Sequence, residues 1–180
     1  MIAFVRGQVA AVTLSSAVLE VGGVGLELMC TPGTLSTLRP GQQATLPTSM
    51  VVREDSLTLF GFLDEDEKTV FELVQTASGV GPKLAQAMIA VLSPDDLRRA
   101  VAGDHVKTLT RVPGIGQKGA QRIILELKDR LGDLDDLVRA LHEVRVGGSV
   151  IDPAVVDSLV ARRSRAANAE GIRDVFRRAR

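Results

Sequence analysis

Hydrophobic and polar positions divide this chain into two unlike stretches. Over about the first sixty residues, short segments rich in Val, Leu and Thr follow one another: Ile2–Val12, Ala17–Val21, Val24–Cys30, Ala44–Val52 and Leu57–Phe62. Gly22-Gly23, Thr31-Pro32-Gly33 and Arg39-Pro40-Gly41 separate them, and turn residues between runs of β-formers predict strands. Five strands in so short a stretch predict a small closed barrel, because an open sheet of that size leaves its edges unpaired. After Phe62 the period changes. Asp64-Glu65-Asp66-Glu67 precedes Val70, Phe71, Leu73 and Val74, which puts acids at the positive end of a helix. No strand-like alternation returns, and residues 64–131 read as one all-helical unit. Gly132–Gly148 is charged and runs into Gly147-Gly148-Ser149, a linker composition. Asp152 and Pro153 then cap a last helical piece carrying Val155, Val156, Leu159 and Val160. The expected organisation is a β-barrel domain (1–63), an all-α domain (64–131), a flexible linker (132–150) and a short helical domain (151–180).

A chain of 180 residues with 45% hydrophobic content is long enough for one ordinary domain or two small ones with a real core. No apolar run approaches the ~20 residues that span a bilayer. The start, MIAFVRGQVA, lacks the basic and apolar blocks of a signal peptide, so the expectation is a soluble, cytoplasmic protein. The single cysteine, Cys30, excludes an internal disulfide and a cysteine-rich metal site, and reads as core. His105 and His142 lie in different segments with no ligand at metal spacing and read as surface or cap residues. Nucleophilic triads, zinc sites and cofactors are therefore not expected. Net charge is +0, which by itself does not point to nucleic acid, although Arg162, Arg163, Arg165, Arg173, Arg177, Arg178 and Arg180 crowd the end. A DNA-binding face needs local positive charge rather than a global excess.

The helical unit contains an internal repeat with an offset of about 35 residues. Gln75-Thr-Ala-Ser-Gly-Val-Gly-Pro-Lys-Leu-Ala-Gln aligns with Thr110-Arg-Val-Pro-Gly-Ile-Gly-Gln-Lys-Gly-Ala-Gln, matching Gly79 to Gly114, Gly81 to Gly116 and Lys83 to Lys118. Each copy predicts helix, tight hairpin, helix. Glycine permits positive φ and close approach to a ligand. A helix that starts at the hairpin offers unpartnered N–H groups and a favourable dipole to an anion. Val80 and Ile115 would anchor the hairpin tips, and each lysine can reach the same phosphate. No base edge is read by such a grip, so binding would be largely sequence-independent.

Other readings compete. Gly114-Ile-Gly116-Gln-Lys-Gly119 matches the dinucleotide pattern G-x-G-x-x-G, but that pattern needs a preceding strand. Here Pro113 precedes the glycines and the sister copy has Leu84 in place of the third glycine. A purely structural helix turn also fits one copy, though less well two copies with the same lysine offset. No phosphate-binding G-x-x-x-x-G-K-[ST] loop occurs.

The two hairpins are the helix-hairpin-helix pattern. Together with Met1-Ile-Ala, Val52-Arg-Glu-Asp-Ser-Leu-Thr-Leu-Phe-Gly-Phe62, Ser78-Gly-Val-Gly-Pro-Lys-Leu-Ala85 and Val112-Pro-Gly-Ile-Gly-Gln-Lys-Gly-Ala120, they make residues 1–131 resemble the RuvA family of Holliday-junction-binding proteins. The resemblance implies an OB-type barrel, an all-α tandem helix-hairpin-helix domain and a short helical tail. It implies a homotetramer, or an octamer, whose paired hairpins each hold one arm of four-way junction DNA. The matching phosphate contacts are Gly79, Gly81, Lys83, Gly114, Gly116, Lys118 and Arg122. Arg122 also lies one helical turn past Lys118, where one face can present both, or it is a solvated helix charge. Glu54 and Asp55, from sequence alone two acids in a hairpin turn, match the family's acidic pin at the junction centre. There they would repel phosphates and disfavour continuous duplex. Family partners are the RuvB ATPase, which drives branch migration, and the RuvC resolvase. Members of the family carry a flexible linker and a small third helical domain that contacts RuvB; Asp152–Val160 resembles its start, but Ala161-Arg-Arg-Ser-Arg-Ala-Ala-Asn-Ala-Glu170 lacks the expected aromatic and glycine turn. A reduced third domain, a divergent one and an altered tail that adds phosphate affinity all stay open, and with them RuvB coupling.

The expected function is that of a non-catalytic, junction-specific DNA-binding subunit. With no Trp or Tyr, and with Phe4, Phe60 and Phe62 expected in the core, the barrel offers no stacking platform for single strands or RNA. The rivals are a general duplex binder and a DNA glycosylase using Asp133, Asp135 or Asp136. For the glycosylase the helical unit is small to enclose a flipped base.

Overall fold

Strand β1 (Phe4–Val12) shows how the first stretch folds. Val5, Gly7 and Val9 turn inward while Phe4, Arg6 and Gln8 face out, the two-residue period of a half-buried strand. This register corrects the expectation for one aromatic. Phe4 is 57% exposed, because burying Val5 obliges its neighbours to point away from the core. The computed structural model describes residues 2–128 and 130. These lie in the first of two units, Met1–Gly132 and Asp133–Arg180. The expected linker, the terminal helical piece, the arginine cluster, His142 and Asp133, Asp135 and Asp136 lie outside the described residues.

β2 (Ser16–Val21), β3 (Val24–Cys30), β4 (Gln43–Val52) and β5 (Leu57–Gly61) follow, each starting and ending close to where the pattern placed it. The strands close in the order β1-β2-β3-β5-β4. β1 pairs antiparallel with both β2 and β4, and the one parallel pairing, β3 with β5, completes the circuit. This is an OB-type barrel, with every strand edge paired. Val5, Val9, Leu19, Leu28, Cys30 and Leu46 fill it. Burial pushes the Cys30 thiol up to about 11, so this cysteine is a core side chain rather than a nucleophile. Thr31-Pro32-Gly33, expected as a turn, instead opens a short helix, α1 (Pro32–Thr37). The Thr31 hydroxyl accepts the Thr34 amide at 3.3 Å, and Pro32 supplies a preset φ in the first turn.

The last strand leads directly into the helical core. Phe60 and Phe62 pack their rings 5.0 and 4.8 Å from Phe71 of α2 (Glu65–Val74). Pairs of this kind contribute about 1 kcal/mol each beyond their buried area. Asp64 caps α2 by accepting the Glu67 amide at 2.8 Å, and Glu67 reaches back to accept the Leu63 amide at 3.0 Å. α3 (Pro82–Val91), α4 (Pro94–Ala102) and α5 (Val106–Leu109) follow, and α6 covers residues 117–128. Buried Arg98 of α4 donates to Asp66 of α2 and, at 3.1 Å, to Asp95, tying the two helices together. Among the described residues no helix is long and apolar enough to cross a membrane.

Candidate nucleic-acid interface

The repeat seen in the sequence returns as a repeat of hydrogen bonds. In the first hairpin the Val80 amide donates to Ala77 at 3.1 Å and the Ala85 amide to Gly81 at 2.9 Å. In the second, Ile115 donates to Val112 at 3.1 Å and Ala120 to Gly116 at 2.9 Å. Val80 and Ile115 are both buried, anchoring the tips in the helical core. Gly79 and Gly114 have φ of +81° and +91°. L side chains are strained there, and the turn needs that geometry to reverse the chain between two helices.

Each hairpin delivers the chain to a helix N-terminus. Gly81 is the N-cap of α3 in extended conformation, with no side-chain hydrogen bond covering the first turn. Gly116 stands just before α6 in the same position of the repeat. Amides of a first helical turn lack intrahelical partners, so both ends present donors and a positive dipole. Lys83 and Lys118, two residues past these caps, are exposed. Neither forms an ion pair with another described residue.

The two hairpins lie side by side. A Cβ placed on Gly79 would sit 2.7 Å from the Arg122 guanidinium, and one on Gly114 would sit 3.5 Å from the Leu84 side chain. Arg122 therefore rises from α6, which starts at the second hairpin, and reaches the first. Of the hairpin positions that the sequence points to, Gly79 and Arg122 are thereby brought together across the two hairpins. Glu54 and Asp55 stand on another element, the exposed turn joining β4 to β5. The Arg53 amide closes that turn on the Ser56 carbonyl at 2.9 Å. Its stem is the pair Val52 and Leu57, both largely exposed.

One interaction has no counterpart in the sequence reading. The Ser78 amide donates to the Glu126 carboxylate of α6 at 2.7 Å. That bond, then the Ser78 hydroxyl and the nearby Arg122 and Arg130, hold the Glu126 carboxyl below its ordinary range. The partners are 48 residues apart, and no local pattern joins them. Among the described residues no three His, Cys, Asp or Glu side chains group closely enough to hold a metal ion.

A closed OB-type barrel continued by paired Gly-x-Gly hairpins at helix N-termini defines the class of tandem helix-hairpin-helix proteins. Family comparison agrees. Residues 1–61 match the RuvA N-terminal domain, and residues 71–129 match the SAM-like helix-hairpin-helix tandem. Relatives that carry the name Holliday junction branch migration complex subunit RuvA include the following three. That from Nocardioides sp. is 87% identical over 132 residues, covering 73% of this chain and 66% of the relative. That from Streptomyces coelicolor is 69% identical over 133 residues, covering 74% and 66%. That from Acidothermus cellulolyticus is 65% identical over 132 residues, covering 73% and 67%. The chain belongs to the RuvA family. Its matching part spans just under two thirds of the Nocardioides and Streptomyces relatives, 66% of each.

Proposed function

We propose that this chain binds four-way junction DNA by its phosphate backbone and serves as a non-catalytic subunit of a branch-migration complex in recombination and repair. The observation that carries the reading is the doubled grip. Two hairpins with the same hydrogen bonds each end at an uncapped helix start beside an exposed lysine. Phosphate is the ligand such a start favours, and two grips in one neighbourhood suit successive phosphates of one DNA arm.

Gly79, Gly81 and Lys83 form the first contact set, and Gly114, Gly116 and Lys118 the second. Arg122, close to Gly79 although it belongs to α6, serves both. Glu54 and Asp55, on an exposed β-turn, act as the pin that repels phosphate at the crossover. The relatives' name, branch migration complex subunit, supports a motor partner, the RuvB ATPase, with the RuvC resolvase acting on the same junction. Four-fold junction symmetry favours a tetramer, alone or doubled to an octamer, working in the cytoplasm.

The hairpin assignment is tested by Lys83→Ala combined with Lys118→Ala. Affinity for junction and duplex should fall together, and the slope of log K against log salt should shrink by ~0.9 for each phosphate that is no longer neutralised. An unchanged slope would mean that the hairpins do not touch phosphate.

A further inference from the structure

The repeat that relates the two hairpins breaks at one informative position. Ser78 of the first corresponds to Pro113 of the second. Pro113 has no N–H to satisfy, and its ring fixes φ, so the second hairpin is stiffened covalently just before its glycine. Ser78 has an N–H and no ring. Its amide is held instead by the Glu126 carboxylate at 2.7 Å, a charge-assisted bond stronger than one between neutral groups. Glu126 lies one turn beyond Arg122 on α6, so the two side chains share a face. One holds Ser78, and the other lies against Gly79.

We propose that Glu126 is a positioning residue for DNA binding: it clamps the first hairpin onto the helix that grows from the second, and so fixes the spacing of the two phosphate grips. This rests on the reading that the hairpins hold phosphate. The clamp does for the first hairpin what Pro113 does for the second. A carboxylate close to a phosphate site also repels the ligand. The two effects of Glu126 therefore have opposite signs and can be separated.

The test measures junction affinity at one fixed salt concentration for Glu126→Ala, Glu126→Gln, Ser78→Pro and Ser78→Pro/Glu126→Ala. Glu126→Ala should weaken binding about fivefold, the scale of removing one hydrogen bond. Gln keeps an acceptor for the Ser78 amide and should recover most of that loss. On the Ser78→Pro background, where the amide is gone and a ring stands in for the clamp, Glu126→Ala should cost less than about twofold. Equal losses in both backgrounds, or tighter binding by Glu126→Ala, would overturn the proposal. If circular dichroism shows that Ser78→Pro fails to fold, the Ala and Gln variants decide alone, and equal weakening by both would overturn it. The Lys83→Ala/Lys118→Ala variant runs beside them. Loss of affinity there with none in Glu126→Ala removes the clamp but leaves the phosphate reading standing. Full affinity in both removes the phosphate reading itself.

Discussion

Gly79 and Gly114 are legible in the sequence because tight hairpins need positive φ, and both adopt it. The residue scale also shows what a sequence conceals. Phe4 sits in an apolar run, but in a strand only every second side chain meets the core, and Val5 takes that side. Glu126 offers no local signal, since its partner is distant in sequence and the helix around it reads as an ordinary charged face. The pin proposed for the β4–β5 turn would act by charge alone. Glu54 and Asp55 are exposed and share one turn, so in the proposed role the pair would together add repulsion of about 1 kcal/mol to a phosphate held nearby. Replacing them, Glu54→Gln with Asp55→Asn, should keep or tighten junction binding while lowering its preference over duplex by about fivefold. Competition titrations at matched salt read that ratio, and an unchanged ratio would count against the pin.

Elements are more legible than residues. Strand runs bounded by Gly and Pro turns locate all five strands, because alternation and turn chemistry act over neighbouring residues. The parallel pairing of β3 with β5 joins segments far apart in sequence, and only closure of the barrel requires it. α1 escapes the pattern because six residues are too few to show a helical period, although Thr31 and Pro32 are a recognisable start. The junction of barrel and helices has its own titrating group. Burial, partly offset by the Leu63 amide and by Thr34, raises the Glu67 carboxyl above its ordinary value. A raised carboxyl contributes stability that is full below the unfolded value and lost as pH rises through the folded one. Glu67→Gln keeps the acceptor for Leu63 without that dependence. As pH falls from neutral towards about 4, near the ordinary carboxylate value, the wild type should therefore gain thermal stability relative to Glu67→Gln. Midpoints from thermal unfolding test this, and a difference that stays constant or moves the other way would refute it.

At the scale of the molecule, the barrel and helices share a continuous join through Phe60, Phe62 and Phe71. The paired hairpins stand on that helical core with both tips buried. The doubled motif is legible because its copies share residues at a constant offset, and the hydrogen bonds repeat at the same offset. The proposed assembly and motor coupling would depend on surfaces between chains, which no periodicity within one chain encodes. The central claim is that these grips and the acidic turn act together to select a four-way junction. It is tested most directly by a gel-shift titration of the full chain on a synthetic four-way junction, with linear duplex of matched length as competitor. The account predicts that the junction complex survives a large excess of duplex. Equal competition by duplex would reduce the hairpins to general phosphate grips, and failure to bind either DNA would contradict the account outright.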